Sequence, residues 1–573
     1  MPASLNRLVD DALAIAFSAC GLPTETARAA RSTLPDLADL QCNGAMPLAK
    51  SMKRNPRELA EAIAVELRKN PVFKDIAVAG PGFLNLRIAD DFLARCATEQ
   101  AASPNLNIVQ LPPDTVVLDY GGPNVAKPLH VGHLRALVIG ESLRRILDAQ
   151  GLHTVSDIHL GDWGLQMGQL ISEIRLRWPD LPPGATPTLN MADLQRLYPE
   201  AAAASKADPA RMELARAATA ALQAGDADAT AIWQALRDIS LKAQREDIDL
   251  LGTHFDLFLG ESDVQPLIPD MIADMVAKGV AVEDQGALIV DVATPGEAKP
   301  LPPLLLQKSD GAALYATTDL ATIVARVRDQ DPTRIVYVVD QRQELHFRQV
   351  FRAAEKAGIA PGVELIHAGF GTVNGADGKP YKTREGGVAQ LKDLLGEAIE
   401  KAGERLRGDD PTLDRGQLAR QVGLAAVKFT DLSSYRISGY IFDADRMVTF
   451  EGKTGPYVQY ACVRIGSILN EAELSQIRPG AIVITEPTER SLVLECARLP
   501  EVVASAARNL APNEVADYIF GVAQSFSRFY DACPVLKADT EEQRASRLAL
   551  CGLARAVLAK GLWLLGIDVP EKM

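Results

Sequence analysis

Asp119-Tyr-Gly-Gly-Pro-Asn-Val-Ala-Lys-Pro-Leu-His-Val-Gly-His133 is the segment that decides the fold of this 573-residue chain. It continues a β-rich run, Thr115–Tyr120, and leads into Leu134–Leu147, which contains no proline and one glycine and predicts a helix that begins near Gly132. A strand, a glycine-bearing turn and a helix N-terminus together favour anion binding, because free backbone N–H groups and the positive end of the helix dipole point at the anion.

The side chains of this segment suit a departing pyrophosphate. His130 and His133 can donate to phosphate oxygens, Gly132 allows close backbone approach, and Lys127 can neutralise the charge that builds up. A lone histidine is more often a packed or surface residue than a ligand. The H-x-G-H spacing directly after a strand instead favours a phosphate site.

From Thr115 onward, short β-rich runs alternate with helical patterns, which predicts βαβ units and an α/β, Rossmann-like parallel sheet. A helical, alanine-rich insertion near 165–265 interrupts the alternation after the second run. The strand candidates are Thr115–Tyr120, His153–His159, Ala287–Val292, Arg334–Val339 and Glu364–Ala368.

Composition shifts divide the chain into three predicted domains. Residues 1–110 form an N-terminal α+β domain that ends in a proline-bearing linker, 111–410 form the Rossmann-like catalytic domain, and 411–573 form a C-terminal all-helical bundle. The helices predicted in the bundle span 418–434, 455–475, 488–508, 512–532 and 541–566.

Composition also excludes several classes of protein. A hydrophobic fraction of 47% and a charged fraction of 23% exclude a disordered chain. No apolar run approaches the ~18 residues of a membrane span, and Asp10 and Asp11 favour a structural helix over a signal peptide at the N-terminus. The seven cysteines are scattered without a C-x-x-C pair, so we expect reduced core thiols, no metal site and a cytoplasmic location.

The net charge of −14 argues against a nucleic-acid partner, because binding phosphates requires lysine and arginine. Net charge does not locate charge, however, and three local basic clusters exist. For any one of them, a solvated helix face is the simpler interpretation. The clusters are Lys50/Lys53/Arg54/Arg57, Arg144/Arg145 and Arg544/Arg547/Arg555.

The H-x-G-H segment resembles the ATP-binding signature of class I aminoacyl-tRNA synthetases, and Pro123-Asn-Val-Ala-Lys127 before it is similar to the arginyl-tRNA synthetases in particular. The resemblance extends along nearly the whole chain and implies activation of L-arginine with ATP and its transfer to tRNA(Arg). Within one matching string, Asp162-Trp163-Gly164 by itself indicates only a tight turn. The other matching strings are Arg54-Asn-Pro-Arg57, Gly80-Pro-Gly-Phe83, Ile158-His-Leu-Gly-Asp-Trp-Gly-Leu-Gln-Met-Gly168 and Phe450-Glu-Gly-Lys-Thr-Gly-Pro-Tyr-Val-Gln-Tyr460.

The resemblance implies an ATP site in two halves. The K-M-S-K-S loop usual in class I is absent, and a glycine-rich basic stretch, 377–387, stands in its place. Lys127 is implied to supply the missing positive charge. Mg²⁺ would arrive on the ATP phosphates with most of its shell as water, so no protein metal cage is expected. The candidate catalytic residues are Lys127, His130, His133 and Lys382, and the candidate ATP-binding residues are Pro123, His130, Gly132, His133, Lys382, Thr383 and Arg384.

An arginine pocket needs carboxylate and neutral acceptors, because the guanidinium is always charged and presents five donors. Tyr315 and Asp319 lie four residues apart on one predicted helix face and match the guanidinium-binding motif of the family. The resemblance places Gln343 where it accepts from the substrate side chain. It assigns the α-amino end of the substrate to Asp119 and Asn124, with His133 nearby.

The terminal domains resemble the tRNA-binding modules of the same family. Tyr457 and Tyr460 in the bundle could stack on splayed anticodon bases, although core packing explains both equally well. The N-terminal domain resembles the module that contacts the tRNA elbow, which gives Lys53, Arg54 and Arg57 an RNA role. A monomer is the usual form of the family.

Three other functions explain the sequence less well than a synthetase does. A small-molecule nucleotidyltransferase shares H-x-G-H but does not explain the terminal domains. A catalytically silent RNA-binding paralogue would be expected to lack some of His130, His133, Tyr315 and Asp319, and all four are present. A helical scaffold would not explain glycines, histidines and a lysine clustered after a strand.

Overall fold

The computed structural model describes residues 4–309, 314–381, 389–406 and 413–573. It divides into two compact units. Unit 1 is drawn from Met1–Leu111, Ala402–Ser433 and Met447–Met573, and unit 2 from Pro112–Lys401 and Ser434–Arg446. The candidate phosphate and arginine residues that the structure describes all belong to unit 2.

The centre of unit 2 is a four-stranded parallel sheet in the order β11-β10-β5-β6. The predicted α/β, Rossmann-like class is confirmed. In the sheet, Asp119 pairs in register with Asp157 on one side and Tyr337 on the other, so three side chains near the carboxyl ends of neighbouring strands lie side by side. The elements are β5 Thr115–Tyr120, α5 Val131–Ala149, β6 His153–Asp157, α12 Tyr315–Gln330, β10 Arg334–Val338, α13 Glu344–Ala357, β11 Glu364–His367, β12 Val373–Asn374 and α14 Leu391–Arg405.

The helical insertion near 165–265 is present and has its own apolar core. Met167, Leu170 and Leu236 pack there, and Val125 and Ala126 of the H-x-G-H segment are buried in the same cluster. The loop that precedes α5 is therefore anchored in the insertion. Its helices are α6 Leu165–Arg177, α7 Met191–Ala207, α8 Pro209–Gln223, α9 Ala227–Leu250 and α10 Glu261–Val264.

One predicted strand is present but belongs to a different sheet from the one predicted. Ala287–Val292, expected in the parallel sheet, forms β8 over Ala287–Val290 in a separate antiparallel sheet, β7-β8-β9. Gln285 and Gly286 both have positive φ, 51° and 80°, and close a two-residue hairpin that turns the chain straight back. This part of the chain contains α11 Ile268–Ala277, β7 Ala281–Asp284, β8 and β9 Leu304–Gln307.

Unit 1 combines a small α+β part with a helical part. Its antiparallel sheet has the order β1-β2-β4-β3, and Arg490 of α18 donates to both carboxylate oxygens of the buried Asp39 at 2.7 Å. The α+β part contains α1 Leu5–Ala19, β1 Ala29–Arg31, β2 Leu40–Cys42, α2 Ala45–Met52, α3 Pro56–Leu67, β3 Phe73–Ala79, β4 Phe83–Ile88 and α4 Asp90–Ala102. The helical part contains α15 Arg415–Leu432, α17 Gly455–Leu474, α18 Pro487–Cys496, α19 Leu499–Asn509, α20 Pro512–Ala532 and α21 Glu541–Leu564. Between α15 and α17 in the chain, β13 Tyr440–Ile441 and most of α16 Ala444–Met447 belong to unit 2, where β13 pairs with β12.

The single helix expected over 488–508 is two helices, α18 and α19. The helix is interrupted at Ala497 and Arg498. Pro500 follows in the first turn of α19, where the missing N–H of a proline costs no helical hydrogen bond. The expected strand His153–His159 also ends earlier, at Asp157. Among the helices of the described residues, none combines the length and the apolar character that crossing a bilayer requires.

Candidate active site

The two histidines of H-x-G-H hold each other at the start of α5. His130 caps the helix, its Nδ1 accepting from the backbone N–H of Gly132 at 3.0 Å, while His133 Nδ1 accepts from the backbone N–H of His130 at 3.0 Å. A Cβ at Gly132 would lie 2.8 Å from the His130 ring, so a side chain there would displace the ring from its capping position. Because each Nδ1 accepts, each neutral ring carries its proton on Nε2 and can donate to a phosphate oxygen.

Both histidines are held neutral. Burial, with repulsion from His130 and Lys127, lowers the pKa of His133 to about 3. Burial and the charge of Lys127 also lower the pKa of His130. The rings lie 3.9 Å apart between centroids. Lys127 contributes a positive charge beside this turn, and its ammonium lies 4.6 Å from the ring centroid of Tyr198, a residue of the helical insertion.

A cavity of about 240 Å³ lies beside this turn, with a predominantly apolar wall. His130 and Gly132 line one side, and Asp340, Phe370 and Thr372 line another. A backbone hydrogen bond joins the turn to the segment just before α14, since Val131 donates to the carbonyl of Ala389 at 3.0 Å. A purine ring and phosphates fit this chemistry of flat apolar wall and helix N-terminus. The predicted Lys382, Thr383 and Arg384 lie outside the described residues.

Acidic and phenolic groups converge on a second region near the N-terminus of α12. Tyr315 and Asp319 lie on this helix, as predicted, and Glu261 begins α10 opposite them. Burial and the charges of Asp162 and Asp319 raise the pKa of Glu261 to about 8. A carboxyl under such repulsion is stabilised by an incoming cation, so the region suits a guanidinium.

Asp319 has a second neighbour that sequence analysis missed. His346 of α13 approaches its carboxylate, with Nε2 to Oδ2 at 2.5 Å. Gln343, predicted to contact the substrate, lies three residues earlier in an exposed turn. In this segment it is therefore His346, and not Gln343, that contacts Asp319.

Asp119 is buried and already paired. Arg326 of α12 donates from one terminal nitrogen to Asp119 at 2.6 Å and to Asp157 at 2.7 Å. Burial outweighs this attraction and raises the pKa of Asp119. Asp119 therefore belongs to a buried charge network that includes a guanidinium of the chain itself, which sequence analysis did not foresee.

Asn124 lies against Gly161, in the loop that follows β6. Backbone groups of the two segments pair, because Val125 donates to Gly161 and Gly161 donates to Pro123, both at 3.0 Å. A Cβ at Gly161 would lie 2.3 Å from Oδ1 of Asn124, so this glycine leaves room for the side-chain amide. Asp162, next in the chain, accepts from Arg237 at 3.0 Å and from the hydroxyl of Ser262 at 2.8 Å, which gives the D-W-G string a structural role.

The tRNA candidates differ in their surroundings. Lys53, Arg54 and Arg57 are exposed. Tyr457 packs against Phe520 with ring centroids 5.5 Å apart, whereas Tyr460 is exposed by 44% and lines a large cavity in unit 1. Their RNA roles stay predictions.

Glu261, His346 and Arg326 had no signal in the sequence by themselves. Each meets its partner from another element of the fold. His346 lies 27 residues from Asp319 in the chain, and Arg326 lies 207 residues from Asp119. A helical wheel of α12 places Arg326 seven residues after Asp319, on the same face. That spacing could have suggested that both point toward the sheet, but not that Asp119 lies opposite.

Three family models match the chain. They are described as tRNA synthetases class I (R), catalytic domain, over residues 103–444, DALR anticodon binding domain over 458–573, and Arginyl tRNA synthetase N terminal domain over 3–88.

Similar proteins span the whole chain. The arginine–tRNA ligases of Maricaulis maris and Hyphomonas neptunium are 48% and 44% identical to it, with 100% of each chain covered in both cases. The arginyl-tRNA synthetase structure of Thermus thermophilus is 26% identical with a TM-score of 0.82, covering 99% of this chain and 100% of its own. That of Plasmodium falciparum has a TM-score of 0.85 at 24% identity, covering 100% of both chains. The chain therefore belongs to the arginyl-tRNA synthetase family of class I tRNA synthetases.

Proposed function

We propose that this protein is an arginine–tRNA ligase, which activates L-arginine with ATP to arginyl-adenylate and transfers the arginyl group to the terminal ribose of tRNA(Arg) for protein synthesis. One observation carries the proposal within the site. Besides burial, the charge of Asp319 raises the pKa of Glu261, and that of Glu261 raises the pKa of Tyr315, so the three groups lie close together. Tyr198, which also raises the pKa of Tyr315, holds its ring 4.6 Å from the ammonium of Lys127 in the phosphate-binding turn. A guanidinium-binding group and a phosphate-binding group thus adjoin.

Two displacement steps make up the reaction. A carboxylate oxygen of arginine attacks the α-phosphorus of ATP, the bond to the bridging oxygen breaks, and pyrophosphate leaves. A terminal ribose hydroxyl of the tRNA then attacks the carbonyl carbon of the adenylate, loses its proton and releases AMP. Neither step needs a protein nucleophile, so positioning and charge stabilisation supply the rate.

The phosphate turn supplies most of that stabilisation. The Nε2–H groups of His130 and His133 donate to phosphate oxygens, and the α5 N-terminus with Gly132 lies against them. Lys127 balances the charge that develops on pyrophosphate. Pro123 lies in the same turn. Lys382, Thr383 and Arg384 also bind ATP, a role supported by the hydrogen bond that joins Ala389, five residues after Arg384, to Val131 of the turn.

The amino acid binds across α10 and α12. Glu261 and Asp319 accept from the guanidinium, and Tyr315 covers it. Gln343 accepts from the substrate side chain. Asp119 and Asn124 hold the α-amino group, with His133 beside them. The carboxylates attract arginine and repel anionic amino acids, while a lysine leaves several acceptors unpaired.

The remaining assignments concern partners and setting. Residues 1–110 contact the tRNA elbow through Lys53, Arg54 and Arg57, residues 111–410 are catalytic, and residues 411–573 bind the anticodon with Tyr457 and Tyr460. Mg²⁺ enters with ATP as part of the substrate, and the described residues contain no cluster of three or more metal-binding side chains. The protein acts in the cytoplasm as a monomer.

Aminoacylation of total tRNA with ATP and each of the twenty amino acids tests the proposal. Charging with arginine alone is the expected result. A chain that binds tRNA yet charges no amino acid would replace the ligase with a silent RNA-binding paralogue. Adenylation of a small molecule without any tRNA requirement would favour the nucleotidyltransferase instead.

A further inference from the structure

The backbone of Pro123–Lys127 is bent at a position that strains it. Ala126 has a φ of 65°, in the left-handed region, although it carries a Cβ. Such a conformation costs on the order of 1 kcal/mol or more and persists where surrounding contacts hold it. The bend matters because Asn124 and Lys127, two residues of the proposed site, lie on either side of it.

Two side chains of α9, in the helical insertion, hold this bend. Ser240 Oγ accepts from the backbone N–H of Ala126 at 2.9 Å and donates to the carbonyl of Leu236 at 2.6 Å. Gln244 Nε2 donates to the carbonyl of Asn124 at 3.1 Å and to that of Lys127 at 3.0 Å. Three backbone groups around the bend thus have partners on one helix.

These contacts are made in the interior. Ser240 and Gln244 are exposed by 0% and 1%, and they lie four residues apart on one face of α9. Both acceptors of the Gln244 amide are carbonyl oxygens, so only its NH₂ group can face them. Oε1 of the same amide is buried and has no hydrogen-bond partner among the described residues, so burying Gln244 costs free energy that its two donated hydrogen bonds must offset. An apolar pair would pack here more simply, and the polar pair therefore points to a requirement for the backbone shape.

We propose that Ser240 and Gln244 are positioning residues for adenylate formation, which hold the backbone at Ala126 so that Asn124 and Lys127 face arginine and ATP. The inference rests on the proposed function. It gives the helical insertion a part in the chemistry, although neither side chain touches a substrate. The opposite side of the turn is held independently by the backbone pairing with Gly161, so loss of the α9 contacts shifts the turn without unfolding it.

The test is a double-mutant cycle in the full-length protein. Gln244→Met keeps the length and removes both donated hydrogen bonds. It is combined with Lys127→Ala, and arginine-dependent ATP–pyrophosphate exchange in the presence of tRNA is measured for all four proteins. Gln234→Met is the matched control, because Gln234 lies on α9 in an exposed hydrogen bond with Asp238. Thermal unfolding of each variant and its Kd for tRNA are measured alongside.

Gln244→Met is expected to lower kcat roughly 10- to 100-fold, as a displaced catalytic group does, with the tRNA Kd unchanged and the control at the wild-type rate. In the Lys127→Ala background the same substitution should change kcat less than about threefold, because Lys127 is gone and the displacement of Asn124, which holds arginine, raises the KM for arginine rather than lowering kcat. If Gln244→Met does not fold, Ser240→Ala, which removes one hydroxyl, takes its place in the cycle.

Equal losses of kcat in both backgrounds, or no loss in the wild-type background, would overturn the inference and leave the proposed function standing. A wild-type protein that fails to charge arginine would instead overturn the proposed function. Wild-type kcat in Lys127→Ala alone would remove Lys127 from the mechanism, and with it the positioning role inferred here.

Discussion

Glu261 is expected to make arginine binding depend on pH. Its pKa, raised to about 8 by burial and by Asp162 and Asp319, leaves the carboxyl mostly protonated at pH 7 in the free protein. A guanidinium favours the ionised form, so binding releases a proton. Arginine affinity should therefore rise by up to about tenfold per pH unit between pH 6 and 8 and level off above 8.

Calorimetric titration with arginine in two buffers of different ionisation enthalpy measures the released proton. Glu261→Gln is the control, since an amide does not titrate in this range, and its arginine Kd should be high and nearly independent of pH. The same pH dependence in the Glu261→Gln protein would assign the proton to another group.

Asp319 is expected to decide the use of arginine rather than the binding of tRNA. Asp319→Ala removes a carboxylate from the pocket and leaves His346 without its partner. The KM for arginine should rise roughly 100-fold, the scale on which losing a charged hydrogen-bond partner acts, with the tRNA Kd unchanged. Asp329→Ala, on the exposed end of α12, should keep the wild-type KM. A weakened tRNA complex with normal arginine affinity would contradict the pocket assignment.

At the scale of elements, α5 and β5 pack so closely that only glycine fits between them. A Cβ at Gly140 would lie 2.2 Å from the ring of Tyr120, which is itself fully buried. Gly140→Ala should lower the free energy of unfolding by about 1–3 kcal/mol, because overpacking outweighs the better helix propensity of alanine. Denaturant unfolding followed by circular dichroism measures the loss.

Gly396→Ala in α14 is the matched control. Nothing lies within 4 Å of a Cβ at Gly396, so alanine should stabilise that helix by about 0.5–1 kcal/mol. Equal effects of the two substitutions would mean that helix propensity, and not the contact with Tyr120, sets the outcome at Gly140.

At the scale of the whole molecule, the structure shows which basic residues are paired with buried carboxylates and which are exposed to solvent. Arg144 and Arg145 both pair with the buried Glu141, and Arg547 pairs with the buried Glu489. Lys53, Arg54 and Arg57 are instead exposed. A net charge of −14 is thus compatible with a local basic surface.

The exposed cluster is expected to contribute to the salt dependence of tRNA binding. A Lys53→Ala/Arg54→Ala/Arg57→Ala protein should lose about two units from the slope of log Kd against log salt concentration, since each phosphate contact contributes about 0.7–0.9. Filter binding at several salt concentrations measures the slope, and Lys69→Ala, in a surface pair with Glu66, is the control. An unchanged slope would assign the tRNA elbow contact to other residues.

The sequence by itself determined the parts of this protein that depend on neighbours along the chain. The strand Thr115–Tyr120, the glycine-bearing turn and the α5 N-terminus with its two histidines interact within about 20 residues, so local patterns predict them. The placement of Tyr315 and Asp319 on one helix face follows from the same local geometry. The family resemblance came from these strings as well.

Only the tertiary structure decided what lies opposite these groups. Glu261 meets Asp319, Arg326 bridges Asp119 and Asp157, and Gln244 holds the backbone at Lys127 because separate elements pack together. Such contacts depend on how helices cross the sheet and on which side chains burial leaves facing each other. The periodicity of apolar residues predicts neither the crossing of the helices nor the facing side chains. It specifies which face of an element is buried but not which element packs against that face.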